Sequence, residues 1–417
     1  MPLLVLLTVA HTVVDTYATT VPALLPFWQA RFALSYGLSG LITGIANVTS
    51  SVAQPLVGVL TDRGRDPRWI AAACLVAAAG ISATGWAHTY PLFLALVILG
   101  GLGVSAFHPQ GYKLIGQHAG RRQAAATSWF LVGGNLGVAL GPLVGTALAL
   151  RFGPEGTGWL FVPGLLLALA LWRLVPGWVG GRRLQWRASP ASEVVPAPVA
   201  GEVVPAPVAV AGLSTQRRLI AVAVLVLLVI VRSAVSSALN SFIPLYYVRV
   251  AGSGAGMASQ VLSGMLFSGT LATLAGGYLA DRVGRLRVLA LSLVGVPPLL
   301  LLFLAAPPTS LAAVGALWGA GAMITASFSI TVVLAQELWY ERRALASGII
   351  VGFAFGVGGL LVPLVGVAAD RWGLPSALRL VAVLPLLALA FAGVLRLLLG
   401  STSARARVTK SGRRSSA

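Results

Sequence analysis

Twelve long apolar stretches follow one another along this chain, and they restrict its possible folds more than any other feature. A helix of about 20 mostly apolar residues spans the hydrocarbon core of a bilayer. Only 9% of the residues are charged and 57% are hydrophobic, whereas about 25% of the residues of a soluble domain are charged. So few charges cannot cover a water-facing surface. We therefore predict an all-α membrane protein with twelve transmembrane helices.

The predicted spans form two sets of six with a polar break between them. The first set covers 3–29, 38–60, 69–88, 91–114, 123–150 and 157–178, and the second covers 218–248, 258–280, 287–306, 310–338, 344–368 and 374–399. The expected units are an N-terminal six-helix bundle, a cytoplasmic linker, a C-terminal six-helix bundle and a basic cytoplasmic tail, at 1–178, 179–216, 217–400 and 401–417.

The linker contains a tandem duplication of a segment rich in proline, alanine and valine. The two copies are Glu193–Gly201 and Glu202–Val210. Alternating prolines favour an extended chain that has no core to bury. The tail is basic and rich in serine, and we expect it to be disordered and to rest near anionic lipid.

Basic residues are distributed unequally between the two ends of the predicted spans. With the N-terminus inside, 23 of the 29 Lys and Arg residues lie at the inner end, five lie at the outer end, and Arg232 falls within a span. Cytoplasmic loops carry such an excess, so we expect both termini in the cytoplasm of a chain in the inner (plasma) membrane. The net charge of +19 does not indicate a nucleic-acid partner, because no cluster of basic and aromatic residues accompanies it.

No motif of an enzyme appears in the sequence. It contains no paired catalytic carboxylates, no metal-ligand cluster, no Gly-x-Ser-x-Gly elbow and no P-loop. We therefore expect neither enzyme activity, nor a cofactor, nor a bound metal, nor transport driven by ATP.

Two polar loops share one pattern at corresponding places in the two sets of spans. The loop after the second span carries Gly58, Asp62 and Arg63, and the loop after the eighth carries Gly277, Asp281 and Arg282. This recurrence indicates duplicated six-helix units. A third match, with Gly366, Asp370 and Arg371, falls at the predicted outer side, so position within the repeat is what makes the first two persuasive.

The two loops resemble the loop motif of the major facilitator superfamily. The second copy fits the family pattern fully, while the first is one residue short between Arg63 and Gly64. The resemblance implies two pseudo-symmetric six-helix bundles that rock around a central cavity. It also implies that the motif glycine admits a neighbouring helix, and that the Asp and Arg lock the inner ends when the protein faces outward.

The fifth span carries a stripe of glycines and one proline, Gly137, Gly141, Pro142 and Gly145. The stripe resembles a motif associated with antiporters of the superfamily. Glycines four apart make a flat groove for a partner helix, and proline bends a helix. The eleventh span carries Gly352 and Gly356 at the corresponding place. Close packing and a bending surface for alternating access are both compatible with the pattern.

A narrower resemblance runs along nearly the whole chain outside the linker and tail. The segments that carry it are His11-x-x-x-Asp15, Gln54-Pro55, Phe107-His108-Pro109, Gly133-Gly134-Asn135, Ala335-Gln336-Glu337, Ala346-Ser347-Gly348 and Gly352-Phe-Ala-Phe-Gly356. They resemble the fosmidomycin-resistance branch of the superfamily. The resemblance implies proton-driven drug efflux, and substrate identity does not transfer with it.

Ionisable residues within the spans are the candidate functional groups, since a charge at mid-bilayer costs at least about 2.5–3.5 kcal/mol. Asp15 lies near mid-depth with His11 one turn earlier on the same face. Desolvation raises the pKa of a carboxylate and can bring it near neutral pH, so Asp15 is the first candidate for proton coupling. The alternative is that Asp15 makes a structural hydrogen bond to a neighbouring helix. His108 precedes Pro109, which favours a broken helix at this point, and its imidazole could relay protons near neutral pH. The alternative is a core histidine whose hydrogen bonds are satisfied.

Arg232 lies deep in the seventh span and needs an anion. Asp15, Glu337 or an anionic substrate could supply it, since the guanidinium binds carboxylate or phosphonate in a bidentate manner. Asn240 continues the polar face of that span and, with His11, Arg232 and Gln336, is a candidate for substrate binding. Glu337 is a further candidate for proton coupling or for an inner gate.

The sequence therefore predicts a secondary transporter, monomeric by resemblance, that couples proton entry to export of a drug or other small molecule by alternating access. Proton symport of a sugar, an organic acid or a phosphorylated metabolite is the first alternative. A transporter-like sensor or scaffold is an alternative of another class, and the intact buried charges argue against it.

Overall fold

A computed structural model describes residues 2–54, 66–118, 123–186 and 213–412, and helices occupy the twelve predicted spans as far as these residues reach. We number them α1 to α12. The first six are Pro2–Ala23 with its continuation Leu25–Phe32, Tyr36–Asn47 with its continuation Val48–Val52, Trp69–Ala83, Tyr90–His118, Gln123–Phe152 and Phe161–Trp186. The second six are Thr215–Leu245, Ala255–Val283, Arg285–Ala305, Leu311–Ala326 with Phe328–Leu338, Leu345–Trp372 and Leu374–Gly412.

Eleven helices of the described ranges are long and apolar enough to cross a membrane. The twelfth, α2, is described only as far as residue 54, so part of its predicted span lies outside the described residues. Large apolar side chains such as Leu166, Leu364 and Leu397 are 62%, 65% and 77% exposed. An outward-facing apolar surface of this kind suits a lipid environment.

Helix packing repeats between the two halves. In the first half α1 packs on α5, and α3 packs on α4 and α6; in the second half α7 packs on α11, and α9 packs on α10 and α12. The halves meet along two helix pairs, α2 with α11 and α5 with α8. The prediction of two pseudo-symmetric six-helix bundles is confirmed.

One end of the bundle carries the interhelical turns at 33–35, 87–89, 251–254 and 306–310. The distribution of Lys and Arg predicts that this end faces outside the cell, and we call it the outer end. The opposite end, where α8 ends at Val283 and α10 ends at Leu338, is the inner end.

Threonine hydroxyls bind α1 to the glycine stripe of α5. Thr16 and Thr20 donate to the carbonyl oxygens of Gly137 and Gly141, each at 3.3 Å. A Cβ at Gly141 would lie 2.6 Å from the carbonyl oxygen of Thr16, and one at Gly145 would lie 2.6 Å from Thr20 Cγ2. Lipid provides no hydrophobic force between helices, so close backbone approach and such hydrogen bonds hold the pair together.

The glycines of α11 also lie at close contacts. Gly352 is buried within the π-helical segment Ile349–Ala354, and a Cβ at Gly356 would lie 2.2 Å from Val52 Cγ2 of α2. Gly356 therefore faces the other half of the molecule, whereas Gly352 is buried within the surroundings of α11.

Several helices continue beyond their predicted limits. α4 runs unbroken through Pro109 to His118, and α5 runs through Pro142, so the expected break at Pro109 is not seen. α6 continues to Trp186 and α12 continues to Gly412, into the segment predicted to be disordered. Residues 401–410 contain neither glycine nor proline, so nothing in that stretch stops the helix. The duplicated linker segment lies outside the described residues.

We expect Gly141→Ala to destabilise the protein by about 1–3 kcal/mol, because the added methyl group meets a backbone oxygen that cannot move independently of α1. Gly393→Ala is the matched control, since a Cβ at Gly393 has nothing within 4 Å. Thermal unfolding of both variants in detergent measures the difference. Equal unfolding temperatures would contradict the packing described for α1 and α5.

Candidate functional site

Asp15 lies between two histidines inside the first half of the molecule. Its Oδ2 is 3.2 Å from His11 Nε2, and its Oδ1 is 3.2 Å from His108 Nε2. The side chains of His11, Asp15 and His108 are 3%, 13% and 17% exposed. We call these three residues the His–Asp triad. The predicted pair of His11 and Asp15 on one face of α1 is present, and α4 adds His108.

Backbone carbonyls fix the other nitrogen of each imidazole. His11 Nδ1 lies 2.7 Å from the carbonyl oxygen of Phe130, and His108 Nδ1 lies 2.8 Å from that of Val104. A carbonyl oxygen only accepts hydrogen bonds, so both Nδ1 atoms carry a proton. In a neutral imidazole the second nitrogen is then an acceptor. Both Nε2 atoms therefore face the carboxylate as acceptors unless a further proton is bound.

The number of bound protons decides whether the triad is satisfied. Each contact between Nε2 and a carboxylate oxygen needs one proton, carried either by the imidazole or by the carboxyl group. Two protons satisfy both contacts and give the triad a net charge of +1. A single proton satisfies only one contact and leaves two lone pairs facing each other at the second. Losing or gaining a proton therefore changes the geometry as well as the charge.

Aromatic rings and a missing side chain shape the space around the triad. The ring of His11 stacks on Phe130 with centroids 4.0 Å apart, and Phe107 lies 5.9 Å away. A Cβ at Gly134 would lie 2.5 Å from His11 Nε2 and 2.8 Å from Asp15 Oδ2. Gly134, one turn before the glycine stripe of α5, thus makes room for the triad.

The triad also offers the donor types that transition metals bind. One atom from each of His11, Asp15 and His108 lies within 4.8 Å of the others, although no metal-ligand cluster was expected from the sequence. The 3.2 Å contacts are hydrogen-bond distances. Experiments on the protonation of the triad need a chelator present to keep metal ions out.

Arg232 is buried in α7 without an acidic partner among the described residues. Its side chain is 3% exposed and lies 5.6 Å from the ring centroids of Phe328 and Phe355. Nη1 makes two long contacts, 3.4 Å to Ser327 Oγ and 3.5 Å to the carbonyl oxygen of Ile324. Nη2 is buried and has no hydrogen-bond partner. Neither Asp15 nor Glu337, the predicted partners, forms an ion pair with it.

A cavity of about 170 Å³ opens between α5, α7, α8 and α10, and both halves line it. Its polar lining comes from Asn135, Ser236, Asn240, Thr270, Thr273 and Thr325. The Oδ1 atom of Asn240 is buried there without a hydrogen-bond partner. Arg232, Ser236 and Asn240 are spaced by four residues and so share one face of α7.

The two remaining candidates, Gln336 and Glu337, form hydrogen bonds with other residues of the second half. Glu337 accepts a hydrogen bond from Arg285 Nη1, and Gln336 Nε2 donates to Ser347 Oγ at 2.7 Å. These contacts place both residues at the contacts of α10 with its neighbours, away from Arg232. Their roles in proton coupling and substrate binding stay predictions.

The loop-motif residues of the second copy are mostly open to solvent. Asp281 and Arg282 are exposed, and the guanidinium of Arg282 lies 4.2 Å from the ring centroid of Tyr278. A Cβ at Gly277 would meet only Ser329 Oγ at 3.6 Å, whereas one at Gly276 would lie 2.0 Å from the carbonyl oxygen of Ala326. The first copy, Gly58, Asp62 and Arg63, lies outside the described residues.

Sequence reasoning missed several residues that the structure brings to the site. Asn135 lines the cavity, and the rings of Phe328 and Phe355 flank Arg232. Asn135 follows two glycines within an apolar helix, which is a signal that could have been used. The two phenylalanines carry no such signal because apolar residues are common in every span.

Three comparisons with known proteins agree with this architecture. The family model for the Major Facilitator Superfamily matches residues 6–338. The Fosmidomycin resistance protein of Escherichia coli (strain K12) is 28% identical over 383 residues, 91% of this chain and 89% of that protein. The MFS-type transporter YfnC of Bacillus subtilis (strain 168) is 29% identical over 400 residues, 96% of this chain and 93% of that protein.

Solved structures share the fold at low sequence identity. A bacterial homologue of the human lysosomal transporter Spinster, in an inward-facing and occupied conformation, has a TM-score of 0.75 at 17% identity and covers 95% of this chain and 96% of its own. A D-xylose-proton symporter has a TM-score of 0.70 at 15% identity, covering 93% and 96%. This multi-pass membrane protein belongs to the Major Facilitator Superfamily, whose members are transporters of small molecules and not enzymes.

Proposed function

We propose that the protein is a proton-coupled antiporter that exports a drug or another small polar molecule by alternating access. The His–Asp triad carries this proposal. Two bound protons satisfy both contacts between an Nε2 atom and the carboxylate, whereas one bound proton satisfies only one of them. The likeness to a fosmidomycin resistance protein, together with the glycine motif of α5, supports the direction of export.

The triad links proton binding to packing through α1, α4 and α5. His11 and Asp15 belong to α1 and His108 to α4, while the carbonyl oxygen of Phe130 belongs to α5. When a proton leaves, the unsatisfied contact separates and the three helices shift relative to one another. Protons that enter from outside and leave inside then drive the outward movement of substrate.

Arg232 is the proposed binding group for an anionic part of the substrate. Its Nη2 has no partner among the described residues, and burial of an unpaired charge is costly unless a ligand completes the site. Asn240, with its unpartnered Oδ1, and Asn135 would bind neutral polar groups in the adjacent cavity. The substrate class is therefore a small polar molecule with a carboxylate, phosphate or phosphonate group.

Proton symport of an anionic metabolite is the second candidate, and one observation favours it. A triad holding two protons is positively charged, as is Arg232, so protonation and anion binding would assist each other electrostatically. The two mechanisms predict opposite pH dependence. Under antiport the substrate affinity rises with pH because protons compete with substrate, whereas under symport the affinity falls.

The topology completes the proposal. The excess of basic residues at the inner end supports a cytoplasmic position for both termini and the linker, and the resemblance to the superfamily supports a monomer in the plasma membrane.

We expect purified protein in liposomes, with a chelator present, to release protons when fosmidomycin or another polar anionic compound from a panel binds, with cationic drugs in the panel for comparison. Asp15→Asn should abolish the release, because the amide lacks the negative charge that stabilises a proton on the two imidazoles. Glu155→Gln is the control, since Glu155 is a carboxylate 47% exposed at the outer end. A pH-sensitive dye measures the release.

Each result of that experiment has a distinct meaning. Release that persists in Asp15→Asn moves the proton to another group, His108 or Glu337. Proton uptake in place of release supports symport. A wild-type protein that binds compounds from the panel with no proton exchange refutes proton coupling.

Replacing Arg232 separates a binding role from a structural one. Because no carboxylate is left unpaired by its removal, Arg232→Met should leave the unfolding temperature unchanged or raise it. The same variant should lose binding of anionic compounds by about 100-fold, since a charge-assisted pair is worth up to about 3 kcal/mol. Thermal unfolding and ligand titration measure both effects.

The control for this prediction is Arg249→Met, which removes a guanidinium outside the cavity. Arg249 donates to Gln29 Oε1 at 3.0 Å near the outer end. A strong loss of stability in Arg232→Met with unchanged anion binding would identify Arg232 as a structural residue.

A further inference from the structure

An acidic side chain of the second half caps a helix of the first half at the outer end. Asp370, in the last turn of α11, accepts hydrogen bonds from the first two backbone N–H groups of α2. Oδ1 is 2.7 Å from the nitrogen of Tyr36, and Oδ2 is 2.9 Å from the nitrogen of Gly37. One carboxylate thus spans the boundary between the halves.

This carboxylate completes the N-terminus of α2. The first N–H groups of a helix have no partner within it. Ser35 Oγ accepts from the N–H of Leu38 at 3.2 Å, and Asp370 takes the two donors that Ser35 does not reach. A negative charge is also favourable at a helix N-terminus because of the helix dipole.

The backbones of the two helices approach closely beside this contact. A Cβ at Gly366 would lie 2.3 Å from the carbonyl oxygen of Tyr36, and a Cβ at Gly40 would lie 2.9 Å from that of Val362. Both obstacles are backbone atoms, so any side chain at these positions would push α2 and α11 apart. The two glycines are what let Asp370 reach the end of α2.

Gly366, Asp370 and Arg371 are the third match to the loop motif, the one at the outer end. We propose that Gly366 and Asp370 of this third copy form an outer latch, a contact that stabilises the state in which the outer end is closed. When the halves separate at the outer end, Asp370 moves away from α2, and the N–H groups at the start of α2 form hydrogen bonds with water instead. The latch therefore opposes opening toward the outside and favours opening toward the inside.

The latch depends on alternating access and on neither the substrate nor the direction of transport in the proposed function. It can be tested without any ligand, so its failure would leave the proton-coupling proposal intact. The single cysteine, Cys74, is buried, and Cys74→Ser gives a background for site-directed labels. Thr89→Cys and Thr309→Cys then place spin labels on exposed turns of the two halves at the outer end.

Distances between the two labels report how far the outer end is open. Asp370→Asn should raise the ratio of long to short distances by a factor on the order of five, the effect of one charge at an exposed helix end. Arg371→Gln is the control, since it changes the charge by one on the same helical turn. An unchanged ratio in Asp370→Asn, or an equal rise in both variants, overturns the proposal.

A second pair of variants tests the backbone donor. Tyr36→Pro removes the backbone N–H that donates a hydrogen bond to Asp370. Proline is well tolerated at the first position of a helix. Ser35 already has the extended conformation that a residue before proline adopts. Tyr36→Ala removes the same side chain and keeps the N–H. Tyr36→Pro should raise the ratio above Tyr36→Ala, and the excess should vanish in the Asp370→Asn background. Equal ratios in the two variants refute the latch.

Discussion

Contact between α1 and α5 is the interaction on which the proposed chemistry depends. Lipid does not drive two apolar helices together, so their association needs atoms that approach closely and polar groups that find each other. Glycines of α5 allow the approach, and threonine hydroxyls of α1 supply hydrogen bonds to its carbonyls. Only at this separation can His11 reach the carbonyl of Phe130 and present its other nitrogen to Asp15.

The two halves carry different charges in their interiors. The first half holds the His–Asp triad, and the second holds Arg232 between two aromatic rings. Contacts such as the hydrogen bond from Asn47 Nδ2 to Ser237 Oγ, at 3.0 Å, join the halves. A proton gained on one side and an anion bound on the other can influence each other through such contacts and by electrostatic attraction.

Periodicity and hydropathy predicted what depends on local sequence. Spans and the pairing of His11 with Asp15 follow from helical spacing. The approach of His108 depends on how α4 packs on α1, and no spacing along the chain encodes it. Pro109 predicted a break in α4, yet the helix continues through it. For Arg232 the sequence suggested Asp15 or Glu337 as partners, but Glu337 pairs with Arg285 and Asp15 with histidines.

A short motif has no meaning apart from the helix end at which it lies. Gly-x-x-x-Asp-Arg occurs three times in this chain, and the copy that sequence reasoning set aside makes a complete contact within the described residues. Its glycine lets two backbones touch, and its carboxylate satisfies two N–H groups that α2 cannot satisfy itself. Such a contact requires the N-terminus of one helix, a glycine on a neighbouring helix that allows close approach, and an acidic residue one turn beyond that glycine. Any end of such a bundle can meet it, so the same few residues can stabilise closure on either side.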